Sequence, residues 1–259
     1  DYGKFNVEMD INEIEFTTGN IKPIQALKDG WELIQPQYWL ILGITVVGMI
    51  IAGFIPFGIA LGAAYCGIYF AIFRIMNGER AEFGDLFKGI EYFLPALIAT
   101  LAFIIPIVIF TIFSWITMFG FFAMLDPGSS NRPPEVADIL MLYGVIFAEG
   151  IVFAIVLSCI HAFVMFTYPL IIEHNLSGFD AFKLSAKAAW KNIGGVAGFI
   201  TAEFVLGLIG YMICGIGLYF VLPIMFAGAL VMYRQVFPAD RHQNFSPPPP
   251  DAYSQTGFQ

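Results

Sequence analysis

Residues 92–122 read YFLPALIATLAFIIPIVIFTIFSWITMFGFF, a run from Tyr92 to Phe122 without one charged side chain. A helix rises about 1.5 Å per residue and the hydrocarbon core of a bilayer is about 30 Å thick, so roughly 20 such residues suffice to cross it. The run is longer than that and too apolar for the core helix of a water-soluble domain. It decides the class: an all-α integral membrane protein, because a helix satisfies its own backbone groups in lipid. Composition agrees, with 58% apolar and 12% charged residues in 259, against roughly 25% charged in soluble domains.

Five more apolar runs surround it: Tyr38–Phe54, Gly58–Phe73, Ile139–Ile172, Ile193–Phe220 and Leu222–Tyr233. The first two are separated only by Ile55-Pro56-Phe57 and read as a tight hairpin. Runs Tyr92–Phe122 and Ile139–Ile172 exceed one straight crossing, so they extend past the bilayer or tilt. Between them lies a polar loop with Pro127-Gly128-Ser129-Ser130 and Pro133-Pro134, a chain-breaking signal. The last two runs join almost without a loop. An earlier break at Gly215-Ile216-Gly217 is the alternative, and it would place Pro223 inside the final span.

Orientation follows from the basic residues. Lys4, Lys22 and Lys28 precede the first run, and Arg74, Arg80 and Lys88 follow the second. Lys183, Lys187 and Lys191 follow the fourth, Arg234 and Arg241 the sixth, and only Arg132 lies opposite. Such a bias requires an even number of spans, and six fit, with both termini cytoplasmic.

Three times, a short amphipathic segment precedes a pair of runs. In 24–35, Leu27, Trp31 and Ile34 share a face; in 83–90, Phe83, Leu86, Phe87 and Ile90 do. In 179–190, Phe179, Phe182, Ala186 and Ala189 or Trp190 oppose Lys183, Lys187 and Lys191, and Ser177 before Asp180 resembles a helix cap. These periods predict helices in the cytoplasmic interface, with aromatic rings at headgroup level. The expected architecture is six transmembrane helices as three hairpins, each preceded by a cytoplasmic interfacial amphipathic helix. It divides the chain into an N-terminal cytoplasmic segment (1–23), a six-span membrane domain (24–235) and a C-terminal tail (236–259). Residues 5–11 alternate as an edge strand would, too short to form a sheet alone. The tail, with Pro247-Pro248-Pro249-Pro250, is expected to be a solvated polyproline-type end or a partner-docking peptide.

The net charge of −8 is spread over the loops and forms no basic patch, which excludes nucleic acid as a partner. Cys66, Cys159 and Cys214 all fall in apolar runs, are odd in number and form no CxxC pair, so buried free thiols are expected. Residues 1–25 lack the continuous apolar core of a signal peptide.

The residues around the amphipathic segments carry a resemblance. They are Ala26-Leu27-Lys28-Asp29-Gly30-Trp31-Glu32-Leu33, Gly78-Glu79-Arg80-Ala81-Glu82-Phe83-Gly84-Asp85-Leu86-Phe87-Lys88-Gly89, and Tyr168-Pro169-Leu170-Ile171-Ile172-Glu173-His174 running to Ala181-Phe182-Lys183-Leu184-Ser185. Over roughly 24–235 the chain resembles a family of bacterial multi-span membrane proteins of largely unknown function, similar to the membrane domain fused to some glycerophosphodiester phosphodiesterases. The catalytic domain of those enzymes has no counterpart here, so the resemblance implies a bacterial cytoplasmic (inner) membrane protein and no activity.

Ionisable residues inside apolar runs are costly in lipid and are functional candidates. His161 lies twelve residues before Glu173 and Glu203 ten after Ile193, placing both about 15–18 Å deep, where they could pair if their helices touch. Glu149, 24 residues from Glu173, falls at the outer interface, about 36 Å away. A carboxylate–imidazole pair suits proton exchange, and equally a neutral hydrogen bond that fastens helices together. Gly58-x-x-x-Gly62 and Gly194-x-x-x-Gly198 permit close helix approach, within the chain or between chains. Pro95, Pro106, Pro169 and Pro223 are expected to bend helices. No phosphate-binding loop, zinc-protease motif or nucleophile elbow occurs, so neither an enzyme nor a cofactor or metal site is expected. The first functional expectation is a non-catalytic accessory subunit packing against membrane lipids and other membrane subunits. The alternative is a small proton-linked transporter or lipid-handling protein using Glu203 and His161.

Overall fold

A computed structural model describes residues 14–19, 21–125, 135–213 and 215–239, without the side chains of Phe57, Met124 and Leu125. The strand-like 5–11, most of the loop 126–138, Cys214 and the proline-rich tail lie outside them.

The described residues are helical and contain no strand. The helices are α1 (Pro23–Ile34), α2 (Tyr38–Phe54), α3 (Leu61–Met76), α4 (Asp85–Lys88), α5 (Phe93–Leu125), α6 (Val136–Val164), α7 (Thr167–His174), α8 (Gly178–Lys191), α9 (Ile193–Met212) and α10 (Gly217–Val236). Five helical stretches are long and apolar enough to cross a membrane: Pro23–Phe54, Asp85–Ala123, Val136–His174, Ile193–Met212 and Gly217–Val236; Leu61–Met76 is a shorter apolar helix. The break between α9 and α10 falls at the Gly215 position, whose φ of 73° suits glycine, and Pro223 sits inside α10. The composition-based boundary at Phe220 is thereby corrected.

The long fourth run is two helices. Pro169 lacks an N–H and cannot continue the ladder from α6 into α7. Ser185 of α8 fills the gap: its hydroxyl donates to the Phe163 carbonyl and accepts from the Phe166 amide at 3.1 Å. Run Tyr92–Phe122, in contrast, lies from Phe93 onward within one helix of 33 residues despite Pro106, about 50 Å long.

All three amphipathic segments form helical turns, and in each the small residues go inward while most of the aromatic rings stay outward. In α1 the buried residues are Ala26, Gly30 and Ile34, while Trp31 is exposed. In α4 and the 3-10 turn Gly89–Tyr92 they are Asp85, Leu86 and Gly89, while Phe83, Phe87 and Ile90 are exposed. In α8 they are Gly178, Ala181, Leu184, Ser185, Ala188 and Ala189, while Phe179 and Trp190 are exposed. Small residues let the backbones close up. A Cβ on Gly30 would lie 2.5 Å from the Gly228 amide nitrogen of α10, and one on Gly89 would lie 2.0 Å from the Ala63 carbonyl oxygen of α3. Ser177 caps α8 as its sequence suggests, accepting from the Asp180 amide at 3.2 Å.

The largest buried side chains concentrate in one body of packed helices. There α3, α7, α8 and α10 enclose Phe166, Tyr233 and Phe237, with Tyr233 stacked on Phe237 at 5.1 Å. The N-terminal stretch joins this body: the Thr17 amide donates to the Val236 carbonyl at 2.8 Å, and Asn192 bonds both Thr17 and Gly19. Glu173 at the end of α7 accepts from Tyr233 and Arg234, while Arg74 at the end of α3 donates to Asp85 at 2.9 Å. From residue 101 to 123 and from 135 to 161, by contrast, no side chain is buried. These parts of α5 and α6 form an apolar two-helix arm.

Candidate functional site

His161 and Glu203 meet. Nε2 of His161 in α6 lies 3.0 Å from a carboxyl oxygen of Glu203 in α9, joining two helices that otherwise barely touch. His161 is carried there by the last straight stretch of α6 before the break at Met165, and its ring packs 6.5 Å from that of Phe103 in α5. Glu203 is the more enclosed partner, with 13% of its side chain exposed against 43% for the imidazole. Nε2 donates to the carboxylate when it carries the ring proton, or accepts from a protonated carboxyl group; the imidazole tautomer sets the direction.

The pair forms part of the wall of a cavity of about 510 Å³ between α3, α5, α6, α9 and α10. Volumes of this order suit a small organic or lipid-like molecule. Most of the lining is apolar, including Leu61, Phe103, Leu157, Ile200 and Met225, and it contains no lysine or arginine. Polarity is concentrated in the pair, Ser158 and three tyrosines: Tyr65, Tyr69 and Tyr168. Sequence reading missed Tyr65, Tyr69 and Tyr168. Tyr65 and Tyr69 sit a helical turn apart on α3, a spacing that marks one face but not what the face meets.

The hydroxyls are not equivalent. Thr100 donates to the Ala96 carbonyl at 2.7 Å, so the 3.1 Å contact between Thr100 and Tyr168 has Tyr168 as the donor. Ser158 donates to the Ala154 carbonyl at 2.8 Å. The Tyr65 and Tyr69 hydroxyls make no hydrogen bond to another described residue. Their rings are fixed nonetheless: Tyr65 packs edge-on to Tyr168 at 5.3 Å, and both Tyr65 and Tyr69 pack edge-on to Phe226 at 5.2 and 5.3 Å. Edge-to-face contacts of this kind orient rings without consuming their hydroxyls.

A second, more open groove of about 440 Å³ lies on the other side of the pair, lined by Phe204, Gly207, Tyr211 and Leu218. His161, Glu203, Ile200 and Met225 belong to both, so the pair divides the enclosed cavity from the groove.

Glu149 lies elsewhere. One of its oxygens accepts from Ser114 of α5 at 3.2 Å, and the other is buried without a hydrogen-bond partner. It is separated from His161 by the stacked rings of Phe110 and Phe153, 3.9 Å apart, and takes no part in the cavity. Among the described residues, no three His, Cys, Asp or Glu side chains gather as a metal site would require. Cys66 is a buried free thiol and Cys159 an exposed one; the expectation that every thiol is buried fails at Cys159, whose helix face belongs to the arm.

Of the two glycine spacings, Gly62 abuts Ala96 and Thr100 of α5, and Gly198 abuts Pro23, while Gly194 meets nothing. Both contacts are within the chain. Compared with known proteins, the chain matches no family model, no curated protein and no solved structure.

Proposed function

We propose that this chain is a non-catalytic protein of the bacterial cytoplasmic membrane that holds a lipid-like molecule in the cavity beside His161 and Glu203. In this reading it crosses the membrane six times, by α2, α3, α5, α6 with α7, α9 and α10, with both termini cytoplasmic. The positive-inside distribution of Arg74, Lys88, Lys183, Lys187 and Arg234 supports the orientation. α3, with 16 residues, is about 24 Å long and crosses with the help of the Pro56–Gly58 turn or local thinning of the bilayer. Trp31, Phe83, Phe87, Phe179 and Trp190 then occupy the headgroup layer, which suits their outward placement.

One observation carries the functional reading: an apolar cavity whose few polar groups include one hydrogen-bonded carboxyl–imidazole pair. Apolar walls with a few placed polar groups are the usual form of a small-molecule site. They suit an ion poorly, because too few oxygens replace its water shell. The test is to purify the protein in mild detergent and identify co-purifying apolar molecules by extraction and mass spectrometry. Leu157→Trp and Met225→Trp, which fill the cavity from facing helices, are expected to lose at least nine-tenths of the bound molecule while remaining monodisperse. Equal retention by folded variants and wild type would sink the reading.

A second reading, an accessory subunit that packs against other membrane subunits, is favoured by the α5–α6 arm. At about 50 Å, α5 exceeds a hydrocarbon core of about 30 Å and carries exposed Ile109, Phe113, Ile116 and Phe122. Its test is the native mass after mild extraction, where a lone monomer counts against it.

A further inference from the structure

The unused hydrogen-bonding groups of the cavity specify the polar end of what it holds, and this inference rests on the cavity reading above. Tyr168 and Ser158 have already committed their protons, to Thr100 and to the Ala154 carbonyl. Two hydroxyl donors remain, those of Tyr65 and Tyr69. One strong acceptor remains, the Glu203 oxygen that is not bonded to His161. A phosphate or carboxylate head brings no proton for Glu203, and no lysine or arginine in the lining balances its charge. A cationic head brings no lone pair for the Tyr65 and Tyr69 protons. Either would leave polar groups of a mostly apolar cavity without partners.

We infer that the site takes an uncharged lipid bearing a hydroxyl head. A hydroxyl oxygen has two lone pairs and one proton. It therefore accepts from Tyr65 and Tyr69 and donates to Glu203 at once, satisfying all three, while the apolar body lies against Leu61, Ile200 and Met225. The recognition is by donor–acceptor count, so it tolerates variation in the chains and rejects variation in the head.

The experiment titrates the delipidated full chain in detergent with three lipids sharing the same acyl chains: a diacylglycerol, a phosphatidylglycerol and a trimethylammonium-headed analogue. Binding is read by native mass spectrometry. The diacylglycerol is expected to bind at least tenfold more tightly than either charged lipid. Tyr65→Phe with Tyr69→Phe removes both donors, keeps both rings, and is expected to erase most of that preference. Glu203→Gln keeps a carbonyl acceptor and is expected to reduce it less. Leu157→Trp is expected to abolish binding of the diacylglycerol.

If a charged lipid binds as well as the diacylglycerol and Leu157→Trp abolishes that binding, the cavity reading stands and the hydroxyl assignment is overturned. If Leu157→Trp changes the binding of none of the three, the cavity reading itself falls, and the assignment with it. An undiminished preference in the double tyrosine variant also overturns the assignment.

Discussion

The two ends of the molecule are built from the same kind of sequence and behave differently. Around α3, α7, α8 and α10, small residues bring helices into backbone contact and aromatic rings fill the remaining space. In the arm, formed by residues 101–123 of α5 and the stretch of α6 up to His161, the residues are as apolar but none is buried. Hydropathy therefore does not tell protein contact from lipid contact. The size of the side chain does: between membrane helices there is no hydrophobic driving force, and association depends on close packing and hydrogen bonds.

Equivalent substitutions at the two ends break or sharpen this contrast. The largest effect is expected for Gly89→Ala, where the new methyl would meet the Ala63 carbonyl at 2.0 Å. Backbone must move, and a loss of roughly 3 kcal/mol or more is expected, at the upper end for overpacking. Thermal unfolding in mixed micelles measures it; an unchanged midpoint would mean that α4 does not lie on α3. Next comes Ser185→Ala, which leaves the Phe163 carbonyl and Phe166 amide without their partner. A loss of about 1–3 kcal/mol is expected in the same assay, and Ser185→Thr would restore part of it if the cap is the cause.

Glu203→Gln tests the site at the boundary between the two regions. It is expected to lower retention of the cavity's ligand several-fold while leaving the unfolding midpoint nearly unchanged. A large fall in stability with normal retention would make the pair a fastener between α6 and α9. The smallest effects belong to the arm. Gly144→Ala meets nothing within 4 Å, so it should be neutral or gain up to about 1 kcal/mol from helix propensity. Glu149→Gln keeps an acceptor for Ser114 and removes a charge from a half-buried group with one unpartnered oxygen, so it should stay within about 1 kcal/mol of wild type. Strong destabilisation by either would show that the arm is packed against protein.

Much of the site is legible in the sequence. His161 and Glu203 stood out because ionisable groups are rare in apolar runs, and their similar depth made a meeting plausible. Glu149 stood out for the same reason, and its separation from the pair follows from its spacing. The tyrosines did not stand out, since Tyr65 and Tyr69 are common residues in a helix near a membrane surface. Their role depends on Phe226 and Tyr168, which lie far away in the chain. The amphipathic helices are legible as helices with outward aromatic rings, but their packing face is not: Gly30 goes inward against Gly228, and no local pattern marks it.

The sequence by itself determined the all-helical class with its long apolar helices, most helix positions and the place of the charged residues along them, because hydropathy and helical rise are local properties of the chain. Only the tertiary structure decided which helices touch, where α6 breaks from α7, and which tyrosine protons are left unspent. Those depend on pairs such as Gly30 with Gly228 and Ser185 with Phe163, whose partners no local pattern names.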